Sequence, residues 1–340
     1  RLDPKRNTGL RKEIRAARTA MIPDAMIARA LSLAEQGRTE IDFPEFDIDW
    51  DSEAYSTVSG QNSNNSVRVS DTFLKAVEAD DTWALTRRTD RSVAKTVKAR
   101  ALWERIGEAA WACADPGLQF DTTINDWHTC PKSGRINASN PCSEYMFLDD
   151  TACNLASLNL LAFRKENGSF DVQAFEHAVR LWTVTLEISV VMAQFPSKEI
   201  AERSHAFRTL GLGYANLGGL LMAGGLPYDS DDGRALAGAI TALMTATAYA
   251  TSAEMAEELG AIPEYARNRG DMLRVIRNHR RAAHGEKTGY ESLATPPVRL
   301  DHASCQVLGD NGKKMIEHAK RAWDRALALE IGRAPSELQS

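Results

Sequence analysis

Asn140-Pro141-Cys142-Ser143-Glu144-Tyr145 sets an amide, a thiol and a carboxylate at alternate positions. A second thiol follows in Asp149-Asp150-Thr151-Ala152-Cys153-Asn154-Leu155-Ala156-Ser157-Leu158-Asn159-Leu160. In an extended run, alternate side chains point to one side, so Asn140, Cys142 and Glu144 are expected to face one substrate together. A thiol serves as nucleophile or hydrogen-atom donor, a carboxylate takes a proton, and an amide holds a hydroxyl in place. Each residue also has a plainer reading. Free cysteines are mostly small buried hydrophobes. A lone loop glutamate is usually solvated. An asparagine before proline is a turn former.

Outward from this stretch, the second half of the chain reads as helical. Asp171 caps an apolar-periodic helix running to Phe195 and stopped by Pro196. Further helices are predicted over Lys198 to Ala223, Asp231 to Leu259, Asp271 to Ala283 and Lys313 to Leu329. The first half is mixed. Helices are predicted over Pro23 to Gln36, Thr72 to Glu78 and Arg91 to Ala114, with short strands at Val67 to Val69 and Gln119 to Ile124. Ser133 to Ser139 is polar and loop-like. Helices alternating with short strands give an α/β fold class with a helix-rich second half.

Two strings resist a simple reading. Thr209 to Tyr228 carries no charged residue and is long enough to span a bilayer, but its glycines, Asn216 and Pro227 favour a buried core segment. Gly211-Leu212-Gly213 suggests a dinucleotide loop, but position 216 is Asn and no preceding strand is evident, so close helix packing explains these glycines better.

The run from Asn140 to Leu161 resembles the active-site loop of ribonucleotide reductase catalytic subunits, most of all the adenosylcobalamin-dependent class. Arg208-Thr209-Leu210-Gly211-Leu212-Gly213 through Leu226-Pro227-Tyr228-Asp229-Ser230 resembles the segment that follows the loop in that family. Gly60-Gln61-Asn62-Ser63-Asn64-Asn65-Ser66-Val67-Arg68-Val69 resembles an upstream one. The resemblance implies part of a ten-stranded α/β barrel, made of two five-stranded halves, with a central catalytic finger loop. It implies that Cys142 becomes a thiyl radical and removes hydrogen from the 3′ carbon of a ribonucleotide. Glu144 is then the general base for the 3′-hydroxyl, and Asn140 its hydrogen-bonding partner. Pro141, Tyr145, Met146 and Phe147 are candidates for an apolar shield. Cys153 matches one member of a redox disulfide pair whose partner lies upstream of Arg1. Disulfide geometry requires Cα atoms within about 7 Å. A buried structural thiol remains the alternative for Cys153.

The implied cofactor is adenosylcobalamin, which carries its own cobalt. The implied partners are the ribonucleotide substrate, a thioredoxin-like or thiol reductant, and room for a nucleotide effector and a homodimer. The rival readings are the iron-dependent class of the same enzyme and a non-catalytic nucleotide-binding α/β protein. A net charge of −5 gives no basic footprint for DNA or RNA. Five cysteines in 340 residues do not read as a secreted disulfide framework and suit a cytoplasmic setting. His128-Thr129-Cys130 offers two metal ligands but no second pair at zinc spacing, so no protein metal site is expected. Cys113, Cys130 and Cys305 read as structural. Residues 1–329 read as the central part of the barrel domain, an internal fragment of a longer protein. Residues 330–340, Glu330 to Ser340, read as a non-native tail resembling translated adapter DNA.

Overall fold

The computed structural model describes residues 3–20, 22, 24–41, 63–152, 154–307, 309–332 and 338–339. The chain divides into two compact units, Arg1–Ser66 with Arg100–Pro116, and Val67–Ala99 with Gly117–Ser340.

In the smaller unit, α1 (Thr8–Thr19) is capped by Asn7, whose Oδ1 accepts the Leu10 N–H at 3.1 Å. It leads into α2 (Asp24–Glu35), and Arg18 near the end of α1 donates to the Asp24 carboxylate at 2.7 Å. Most of the helix Ala99–Cys113 belongs here too.

The larger unit begins with β1 (Ser66–Val69) and α3 (Asp71–Glu78), capped by Ser70. An antiparallel hairpin, β2 (Thr82–Thr86) and β3 (Val93–Lys98), follows and feeds α4 (Ala99–Cys113). β4 (Gly117–Phe120) pairs with β1 and runs into α5 (Asp121–Asp126). After the loop bearing the cysteines come β5 (Leu155–Asn159) and α6 (Val172–Met192), then α7 (Lys198–Phe207), β6 (Leu210–Ala215) and α8 (Leu217–Ala223). The last elements are α9 (Asp231–Leu259), α10 (Tyr265–Ala283), α11 (His302–Val307), α12 (Gly309–Gly332) and β7 (Leu338–Gln339).

The central element is α9. It is buried over most of its length, and its small residues, among them Ala239, Ala246, Ala250 and Ala253, let α6, α11 and α12 approach closely. Its Tyr249 ring lies 5.5 Å from Trp323 of α12. α6 packs one stripe inward, with Val172, Phe175, Val179, Thr183, Leu186 and Val190 at helical spacing. β5 and β6 run parallel in register from Leu155↔Gly211 to Asn159↔Ala215, and β7 adds to β6 through Leu210↔Leu338.

Several sequence expectations are corrected. Among the described residues the strands form three small sheets, β1-β4, β2-β3 and β5-β6-β7, and no closed barrel. The predicted helix over 91–114 is a strand to Lys98 and a helix only from Ala99. The predicted strand 119–124 is a strand that ends at Phe120, followed by a helix. The predicted helix over 198–223 breaks into α7, β6 and α8. Arg208, at φ 50°, ends α7 in the left-handed conformation. The uncharged run 209–228 is therefore a strand, a short helix and a turn. No described helix is long and apolar enough to cross a membrane. Gly211 serves strand contact rather than helix packing. A Cβ there would meet the Asn154 carbonyl oxygen at 2.8 Å and Leu155 Cδ2 at 2.6 Å. α12 also extends past Leu329 into the tail, to Gly332.

Candidate active site

The loop between α5 and β5 is built by polar bonds at its entry and apolar burial at its exit. At the entry, Asn125 of α5 brackets Ile136. Its Oδ1 accepts the Ile136 N–H at 3.1 Å and its Nδ2 donates to the Ile136 carbonyl at 3.2 Å. Asp121 takes Arg68 of β1 at 3.1 Å and also pairs with Arg135 of the loop. Arg68 donates in turn to the Ile136 carbonyl at 3.3 Å.

Residues 140–143 form a turn, not an extended run. The Ser143 N–H donates to the Asn140 carbonyl at 3.0 Å, and Ser143 has φ 65°. Alternate side chains therefore do not share a face here on pleat grounds, which corrects the expectation drawn from spacing. The Asn140-Pro141 turn signal prevails locally. Asn140 Oδ1 accepts the Tyr145 N–H at 2.9 Å, so this amide braces the loop through its carbonyl. Cys142 is exposed at the turn.

Past the turn the chain dives inward. Tyr145, Phe147 and Leu148 are buried in a core cluster with Cys130, Phe207, Ile262, Tyr265 and Met272. Phe147 meets His128 and Phe207 edge-on, with centroids at 5.7 and 5.3 Å. Tyr145 Oη lies 2.9 Å from Thr151 Oγ1 and 2.8 Å from Thr209 Oγ1. Tyr145 and Phe147 thus anchor the loop, whereas Pro141 is exposed.

Glu144 lines a cavity of about 380 Å³ with Phe120, Trp127, Met146, Tyr249 and His279. Neither Asn140 nor Cys142 lines it. Two imidazoles border this space. His128 accepts the Cys130 N–H at Nδ1 (3.3 Å) and donates from Nε2 to the Gly134 carbonyl (3.1 Å). Burial lowers its pKa to about 4, so it is neutral in the Nε2–H form. His279 is packed between Trp127 and Trp323, with centroids at 4.7 and 5.4 Å, and burial lowers its pKa to about 4 as well. Both rings are fixed neutral elements of the wall.

Cys153 lies outside the described residues. Its flanks are pinned: Thr209 Oγ1 donates to the Ala152 carbonyl at 3.2 Å, and Asn154 Nδ2 donates to Leu186 and Ser189 of α6 at 2.8 and 2.7 Å. Cys305 is a structural thiol. It donates to the Ala235 carbonyl at 3.4 Å, and burial raises its pKa to about 11. Sequence reasoning missed Gln119, Asp121, Asn125 and Arg68, which hold the loop. One polar residue in the apolar strand Gly117–Phe120 is the only hint for Gln119.

A match to the family described as ribonucleotide reductase, barrel domain, spans residues 27–327. The chain is 63% identical over 328 residues to a vitamin B12-dependent ribonucleotide reductase of Agrobacterium fabrum, covering 96% of this chain and 25% of that protein. It is 62% identical, over 96% of its length, to the protein of the same name from Bradyrhizobium diazoefficiens, of which it covers 26%. A Streptomyces avermitilis protein of that name is 54% identical over 74% of this chain. The chain spans about a quarter of the length of these curated relatives. With the cysteine turn, the cavity-lining glutamate and the parallel β5–β6 pair in place, the chain belongs to the ribonucleotide reductase barrel-domain family.

Proposed function

We propose that the full-length protein reduces ribonucleotides, as diphosphates, to 2′-deoxyribonucleotides for DNA synthesis by a thiyl-radical mechanism on Cys142. The observation that carries this is the placement of Glu144 on a cavity wall two residues from an exposed thiol. A cavity of about 380 Å³ falls within the range of about 300–1,000 Å³ typical of small-ligand sites.

In this reading Cys142 takes hydrogen from the 3′ carbon while Glu144 accepts the 3′-hydroxyl proton. Asn140, already bonded through Oδ1, offers its Nδ2 hydrogens to the same hydroxyl or to the Glu144 carboxylate. The substrate radical loses its 2′-hydroxyl as water, taking up a proton from one of two thiols. The two thiols supply in all two electrons and two protons, one proton to that water and one to the 2′ carbon, and become a disulfide, while Glu144 returns its proton to the 3′ oxygen. Cys142 then returns its hydrogen to the 3′ carbon. Cys153 is one of the two reducing thiols and its partner lies outside residues 1–340. The parallel pair β5–β6 is part of a ten-stranded barrel completed elsewhere in the polypeptide, and residues 330–340 are a non-native tail.

Relatives named vitamin B12-dependent support adenosylcobalamin as the cofactor of the full-length protein. It supplies the initiating radical when bound. Neither imidazole at the Glu144 cavity is placed to hold a corrin: both ring nitrogens of His128 are engaged, and His279 is wedged between two tryptophans. The roles assigned above are therefore those of the chain's own side chains.

The test is Cys153→Ser in the full-length protein. Deoxynucleotide yield should fall to background in multiple turnover, while tritium release from 3′-labelled substrate persists. Wild-type yield in that variant would return Cys153 to a structural role.

A further inference from the structure

Among the described residues no side chain hydrogen-bonds Cys142 Sγ, yet the turn that carries it is fixed on both sides. The fixing group is Gln119 of β4, a polar side chain only 3% exposed. Its Nε2 donates to Ser139 Oγ at 2.7 Å and to Ser143 Oγ at 3.1 Å. One amide nitrogen carries two hydrogens, so each serine receives one. The Ser139 hydroxyl is then free to donate to the Asn140 carbonyl, at 2.7 Å. That same carbonyl closes the turn by accepting the Ser143 N–H at 3.0 Å. Ser143 is held in the left-handed region at φ 65°, which side-chain-bearing residues seldom adopt without outside support.

We propose that Gln119 is the positioning residue of the radical cysteine: it clamps Ser139 and Ser143, and through them sets where the Cys142 thiol points. This rests on the reading of Cys142 given above. The clamp suits a thiol that must stay reactive. A direct hydrogen bond to Cys142 Sγ would have to break in every turnover, whereas bonds to its neighbours need not. The amide also carries no charge and does not titrate, so the clamp is insensitive to pH. Because Gln119 itself lines the cavity that holds Glu144, one side chain ties the thiol turn to the wall bearing the base.

The test uses the full-length protein with Gln119→Leu, Ser143→Ala and the double variant. Misplacement of a reacting group by about 1 Å costs on the order of 100-fold, so kcat should fall about 10- to 100-fold in Gln119→Leu. KM for the ribonucleotide should stay within about threefold, since the lost interaction positions a group rather than binding substrate. Gln119→Leu with Ser143→Ala should be no worse than Gln119→Leu alone, because both remove the same clamp. A readout independent of turnover is the rate at which iodoacetamide alkylates Cys142, followed by mass spectrometry. It should rise several-fold in both single variants as the turn loosens. Wild-type kcat and wild-type alkylation in Gln119→Leu, or additive losses in the double variant, would overturn the clamp. Deoxynucleotide formation by Cys142→Ser would instead overturn the radical reading, and the alkylation rates would still judge the clamp. If circular dichroism shows that Gln119→Leu does not fold, Ser139→Ala and Ser143→Ala each remove one arm and carry the same two outcomes.

Discussion

Residues 140–144 and 145–148 are neighbours in one loop and are held by opposite physics. The first group is exposed or half-buried and hangs on hydrogen bonds donated by Gln119 and Ser139 and on Asn140 Oδ1 as acceptor of the Tyr145 N–H. In the second, Tyr145, Phe147 and Leu148 are buried in a core cluster, with Phe147 only 2% exposed. The proposed chemistry falls where the chain is tethered through neighbours, and the apolar burial falls two or three residues further on. Substitutions in the first group should therefore alter activity and spare folding, and those in the second the reverse.

The largest separation is expected at Glu144. Glu144→Gln removes a base without removing volume, and general acid–base groups are worth about 10²- to 10⁴-fold. Steady-state kinetics of the full-length variant should show a kcat loss in that range with an unchanged melting temperature. A wild-type kcat would detach Glu144 from the reaction.

The opposite arm of the contrast is Phe147→Ala. Truncating a buried phenylalanine costs about 3–5 kcal/mol through lost burial and the cavity left behind. Denaturant unfolding of residues 1–340 should register that loss. A cost below about 1 kcal/mol would mean that the loop exit does not carry the stability assigned to it.

A smaller effect comes from pH, which acts on the supports and not on the tip. The folded pKa of His128 is about 4, below its ordinary value of 6.5, because burial disfavours the cation. The unfolded chain therefore binds the proton first as pH falls. His128 stabilises the fold fully above pH 6.5, and that contribution is lost between pH 6.5 and about 4. The loss is on the order of 3 kcal/mol at most, and His279 acts in the same direction. Glu291 behaves in a separate window. Hydrogen bonds from Arg277, then Arg281, lower its pKa to about 2, so its contribution is present above pH 4.5 and lost between 4.5 and about 2. Thermal melts of residues 1–340 should decline in two stages, and His128→Gln should flatten the upper one. A flat profile from pH 6.5 to 4.5 would contradict the burial argument.

The helices were the legible part of this chain. Asp171 as a cap and the span Asp231–Leu259 stand as the sequence predicts, because capping and length are local signals. The strands were not. β6 is an apolar run in register with β5, and a strand with little alternation cannot be told from a buried helix by periodicity. The β2–β3 hairpin is largely exposed, and its strands of five and six residues are too short for their apolar residues to mark a buried face. In the candidate site, residue types were legible and their geometry was not. Asn140-Pro141 carried a turn signal that outweighed alternation. The clamp on that turn joins Gln119 to serines 20 and 24 residues away, a distance no local pattern encodes.

The role assigned to the exposed thiol is tested most directly by incubating the full-length protein and its Cys142→Ser variant with 3′-tritiated ribonucleotide, adenosylcobalamin and a dithiol. The wild-type protein should form deoxynucleotide, most of the 3′ tritium returning to the 3′ carbon and a small part exchanging to water through the Cys142 thiol. The variant should do neither, while binding the nucleotide with near-wild-type affinity, because a serine O–H cannot replace the thiol in hydrogen-atom exchange. Single-turnover formation of deoxynucleotide by Cys142→Ser would contradict the radical role of this residue.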